Sequence, residues 1–123
     1  MIRNILLVAA GGAIGSTCRY LISTYFSRTS TAFPWPTLMV NLLGSLLIGL
    51  LVGLFNKEEL SPEMKLLLVT GFCGGFTTFS TFANESYEMM KVGEVLLAAI
   101  YIGSSVAVGV IAVWLGMKLC SLW

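Results

Sequence analysis

The densest run of chemically capable side chains is Gly71-Phe72-Cys73-Gly74-Gly75-Phe76-Thr77-Thr78-Phe79-Ser80-Thr81-Phe82, which joins hydroxyls to aromatic rings and carries no charge. Phe79 and Phe82 stand three apart, so a helix would put them on one face, with the hydroxyls of Ser80 and Thr81 close by. An aromatic ring is negative on its face and positive at its edge. Ring edges turned inward would favour a small anion, and ring faces a cation. The other neutral polar groups available are Asn41, Thr77, Thr78, Tyr101, Ser104 and Ser105. Hydroxyls and amides can donate to an anion or accept from the water of a cation, so they leave the sign of an ion open. Asn41, set among Val40, Leu42 and Leu43, must find a partner or lose several kcal/mol, which makes it either a cross-helix hydrogen bond or a site group. Glu85 follows Phe82 by one turn, with Glu88 beyond it, and a solvated vestibule explains both about as well as a transport role. Arg19 either snorkels to an interface or concentrates anions at an entrance.

These residues sit in a chain of 123 residues that is 57% hydrophobic and 11% charged, without histidine or aspartate. Its mean hydropathy is +0.91. That composition belongs to a membrane protein. Lacking histidine and aspartate, the chain has no Ser/His/Asp triad and no usual mixed ligand set for zinc or iron, so an enzyme is not expected. Cys18, Cys73 and Cys120 are far apart and form no CxxC site, which leaves them a packing role. A net charge of +1, without a basic run, excludes nucleic acid, and the absence of a phosphate-binding loop excludes nucleotide.

Four apolar segments, at approximately 4–26, 36–55, 64–89 and 94–117, read as membrane-spanning helices of one transmembrane domain covering 1–123. The first is too long for a signal peptide and is followed by further spans. A polar stretch from Ser27 to Thr31 leads to Pro34-Trp35-Pro36, where prolines stop helix propagation and Trp35 suits an interface. Asn56-Lys57-Glu58-Glu59 returns the chain to water, and Ser61-Pro62-Glu63 supplies a capped helix start. Lys118 and Trp123 mark the far end of the fourth span. The third span is expected to break near Gly74 and Gly75, each disfavoured within a helix by about 1 kcal/mol. Non-helical backbone at membrane depth is tolerated only where protein buries it or it lines a cavity. The pairs Gly11/Gly15, Gly49/Gly53 and Gly71/Gly75 have the spacing that lets helix backbones approach closely in lipid.

With the amino terminus, the second connection and the carboxyl terminus on one side, Arg3, Lys57, Lys65 and Lys118 lie there. Arg28 and Lys91 lie opposite, joined by Arg19 if it snorkels. So even a balance scarcely selects an orientation, and oppositely inserted copies could pair about a twofold axis in the membrane plane.

The Gly11-Gly12-Ala13-Ile14-Gly15 run with Arg19-Tyr20, Thr37-Leu38, Val40-Asn41 with Gly44, and above all the 71–82 motif resemble the CrcB/Fluc fluoride channels along nearly the whole chain. The resemblance implies an all-α membrane protein with a broken third helix, assembled as an antiparallel dual-topology homodimer in the cell (inner) membrane. It implies two fluoride pathways, with fluoride passing passively down its electrochemical gradient to relieve its toxicity. The pathway residues it points to are Asn41, Phe79, Phe82, Ser80, Thr81, Tyr101 and Ser105, with Arg19 and Glu85 at the vestibule. It also implies a structural sodium ion at the dimer centre, held by backbone carbonyls of Gly74 and Thr77 from both subunits. Gly109 departs from the pattern, standing where some members carry a further serine. The rival readings are a small proton-coupled multidrug exporter and a non-transporting membrane subunit; the exporter needs a glutamate in its first helix, and residues 1–25 contain no acidic residue.

Overall fold

A computed structural model describes residues 1–26 and 33–122. The polar stretch Ser27–Thr31, with Arg28, and Trp123 lie outside the described residues.

Four helical spans are long and apolar enough to cross a membrane: Ile2–Phe26, Trp35–Asn56, Pro62–Lys91 and Val95–Ser121. We label the first two α1 and α2, the halves of the third α3 (62–76) and α4 (Phe79–Lys91), and the last α5. At ~1.5 Å per residue, the 25 residues of α1 exceed the ~30 Å hydrocarbon core. Pro36 lies in the first turn of α2, where its missing N–H costs no hydrogen bond. The α3 start is capped as its sequence suggests, with Ser61 Oγ accepting from the Met64 N–H at 3.2 Å. Gly93, at φ +90°, takes the left-handed turn between α4 and α5.

The amino terminus, the α2–α3 connection and the carboxyl terminus share one end of the bundle. Arg3 pairs with Glu63 at 3.9 Å, Lys57 Nζ donates to the Cys120 carbonyl at 2.6 Å, and Lys65 Nζ lies 4.4 Å from the Phe55 ring centre.

Within the bundle, α1 packs chiefly on α3 and α2 on α5. Both seams are made by glycine. A Cβ on Gly15 would overlap the Phe72 carbonyl, and one on Gly49 would overlap the Val113 carbonyl. Gly116, which the spacing pairs did not include, answers Gly49 from α5 against the Leu46 carbonyl. Backbones in direct contact have no slack to accept a side chain. Gly49→Leu is therefore expected to cost about 3 kcal/mol of folding stability, read as a lower unfolding temperature and aggregated material on size exclusion in detergent.

The third span is broken at its middle, but not at its paired glycines. Residues Leu66–Cys73 form π-helical turns, and Gly74–Phe76 continue as α-helix, with Gly74 at φ −62°, ψ −37°. The interruption falls at Thr77 and Thr78, whose backbones are extended. Gly75 stays helical because it is a packing surface: a Cβ there would lie 2.6 Å from the Gly12 carbonyl of α1. The chain opens two residues later, where other groups can take over the lost backbone hydrogen bonds.

Candidate functional site

Asn41 supplies the principal replacement bonds. From α2, its Oδ1 accepts the Thr78 N–H at 2.9 Å and its Nδ2 donates to the Thr78 carbonyl at 3.0 Å. Both polar groups of one peptide unit's residue are thus satisfied by a single side-chain amide, which accounts for an asparagine inside an apolar helix. Thr77 turns its hydroxyl back to the Cys73 carbonyl at 2.8 Å, completing the end of α3. Thr78 Oγ1 accepts the Thr81 N–H at 3.3 Å and donates to Thr81 Oγ1 at 3.1 Å, so it caps α4. Arg19 reaches the same place from α1, its Nε donating to the Gly75 carbonyl at 3.1 Å. Its Nε therefore serves the end of α3.

Beside this junction opens a cavity of about 450 Å³ whose lining includes Asn41, Ser45, Thr77, Phe79, Phe82 and Ser105. Gly74 and Thr78 also border it. Among the described residues, no carboxylate, ammonium or guanidinium lines it. The two phenylalanines flank one another, with ring centres 5.9 Å apart and planes inclined at 54°. Phe82 continues onto Tyr101 at 5.1 Å and 59°. Tilted rings offer edges as well as faces to the space between them. Phe82 is half-buried, whereas Phe79 is 78% exposed on the single chain. Ser105 Oγ is buried without a hydrogen-bond partner among the described residues.

The other expected site residues are distributed around this centre. Tyr101 is fully buried behind Phe82 and donates to Glu85 Oε1 at 3.0 Å. Glu85 borders a second cavity, of about 470 Å³, together with Glu88, Glu94 and Phe33. Ser80 and Thr81 are exposed on α4 and do not line the first cavity. Ser45, which sequence reasoning passed over, does line it. Its signal was available: it follows Asn41 by four residues and so shares its face of α2.

Such a lining can strip water from a small ion and replace it with neutral donors and ring edges, while no fixed charge traps the ion. Residues 6–117 match the family described as CrcB-like protein, Camphor Resistance (CrcB). This chain is a member of the CrcB family. Among relatives of this CrcB-family chain is the fluoride-specific ion channel FluC of Chlorobaculum tepidum, 48% identical, covering 100% of the chain and 98% of the relative. The protein of the same name from Methylobacillus flagellatus is 49% identical, with 94% and 93% covered. That of Agrobacterium fabrum is also 49% identical, with 94% of each covered. The CrcB match runs through α1 to α5, so the Asn41 clip, the break and the cavity all fall inside it.

Proposed function

We propose that this CrcB-family protein is a fluoride channel, letting fluoride leave the cell through its inner membrane down the electrochemical gradient and so relieving fluoride toxicity. The observation that carries this reading is the uncharged cavity where Phe79, Phe82, Asn41 and Ser105 converge beside a broken span. The names of its relatives, fluoride-specific ion channels, agree with it. Fluoride is small and strongly hydrated, and a lane of amide, hydroxyl and ring-edge donors compensates for its lost water. Passive flow needs neither nucleotide nor a coupling carboxylate. The absence of any carboxylate among the described residues of the cavity, and of any acidic residue from α1, weighs against a proton-coupled exporter.

The working unit in this reading is an antiparallel homodimer with two pores. Support comes from the Phe79 ring, which lines the cavity yet is 78% exposed on the single chain and would be covered by a second copy. Sodium fits the residues present. The described residues contain no cluster of acidic, cysteine or histidine ligands, and Gly74 and Thr77, which line the cavity, would offer backbone carbonyls as hard oxygen donors. A second copy would double that set. When bound, the ion would supply fixed positive charge that holds the two breaks together, while Gly74 and Thr77 contribute only backbone oxygen.

Fluoride-electrode recording from liposomes containing the purified protein tests the function. Rapid fluoride efflux without a proton gradient, and little chloride efflux, is the expected result. Proton-driven cation efflux would support the exporter, and no flux of either kind would support a non-transporting subunit.

A further inference from the structure

Several hydroxyls on these helices spend their proton on a carbonyl one turn back. Thr17 donates to Ala13 at 2.7 Å, Thr77 to Cys73 at 2.8 Å, Ser86 to Phe82 at 2.8 Å and Ser104 to Tyr101 at 3.3 Å. Two serines on the cavity wall differ. Ser105 Oγ is buried with no partner among the described residues. Ser45, on the facing helix α2, lines the same cavity, and its side chain takes part in none of the hydrogen bonds that tie the neighbouring hydroxyls to backbone. A buried hydroxyl left unbonded, as that of Ser105 is, is costly, and an ion arriving there removes that cost.

Their placement is reciprocal. Ser45 lies one turn along α2 from Asn41, and Gly109 lies one turn along α5 from Ser105. A Cβ built on Gly109 would sit 3.7 Å from Ser45 Oγ, in ordinary contact. The hydroxyl from α2 thus occupies the space beside α5 that a side chain at position 109 would reach. Resting on the fluoride-channel reading above, we infer that Ser45 is an ion-solvating residue of the lane, supplying from α2 the hydroxyl donor that α5 lacks at Gly109 and forming a two-hydroxyl station with Ser105. The chemistry is a pair of neutral O–H donors aimed at one small anion.

The test is fluoride efflux from liposomes by wild type, Ser45→Ala, Ser45→Ala/Gly109→Ser and Ser45→Ala/Gly109→Ala, each checked by size exclusion. Alanine is well tolerated within a helix, so Ser45→Ala leaves assembly unchanged. It is expected to slow efflux roughly tenfold, the scale of one lost hydrogen bond to a charged group. Gly109→Ser in that background returns a hydroxyl to the same space and restores most of the rate, whereas Gly109→Ala does not. Wild-type efflux from Ser45→Ala overturns the inference, as does equal rescue by alanine and serine, which would make the effect one of packing. The wild-type rate separately reports the channel reading: a wild type that passes no fluoride removes that reading, while a conducting wild type matched by Ser45→Ala removes only the role of Ser45.

Discussion

Phe82→Ile is expected to lower fluoride efflux from liposomes by roughly tenfold or more, equivalent to at least ~1.4 kcal/mol on the barrier, while leaving assembly intact. Isoleucine is close enough in size to keep the apolar contacts that Phe82 makes with the cluster of Met89, Ala98 and Tyr101. Such swaps in a core usually cost less than ~1.5 kcal/mol, so size exclusion and unfolding temperature should change little. What isoleucine cannot supply is the positive ring edge beside Phe79 and Tyr101. Flux and stability are therefore predicted to separate. Undiminished efflux from a well-folded variant would remove the ring from the path, and loss of folded protein would show Phe82 to be chiefly a packing residue.

Asn41→Asp should have a comparably large effect through two routes. The carboxylate still accepts the Thr78 N–H, but it has no donor for the Thr78 carbonyl, which the amide meets at 3.0 Å in the native protein. Two oxygens would then face each other across a broken helix where little water can screen them. The same carboxylate would put negative charge on the wall of the proposed anion pathway, whose described lining residues carry no charge. A loss of about 3 kcal/mol in stability is expected from the unmade bond and the buried charge, together with near-complete loss of fluoride efflux. Thermal unfolding in detergent measures the first and the fluoride electrode the second. Conduction at the native rate would place Asn41 off the pathway and leave it only the clip.

The clip also shows where reading the chain had to stop. An amide among leucines announces that a partner exists, but either a cross-helix bond or a site group satisfied that requirement. The structure shows the cross-helix bonds to Thr78, and Asn41 is also among the residues that border the cavity. Arg19 is similar: a lone guanidinium in an apolar span must reach something polar, and the exposed carbonyl of Gly75 is a target created only by folding. Ser45 was legible as a residue on the face of Asn41, but nothing local distinguished it from a serine bonded to its own helix.

The amino-acid sequence by itself determined the solvent of this protein, the four spans, the interruption of the third, and the shared end of the amino terminus, second connection and carboxyl terminus. These follow from composition, apolar run length and helix-start chemistry, which act within a few turns of chain. Tertiary structure decided the position of the break. Local propensity points to Gly74 and Gly75, but close contact with Gly12 of α1 holds Gly75 in a helix, and the opening moves to Thr77 and Thr78, where Asn41 from α2 meets the freed peptide. The π-helical turns over Leu66–Cys73 were likewise invisible in a run of apolar residues. The physical reason is common to both: in lipid the lowest-energy backbone is the one whose polar groups find partners, and those partners lie on other helices.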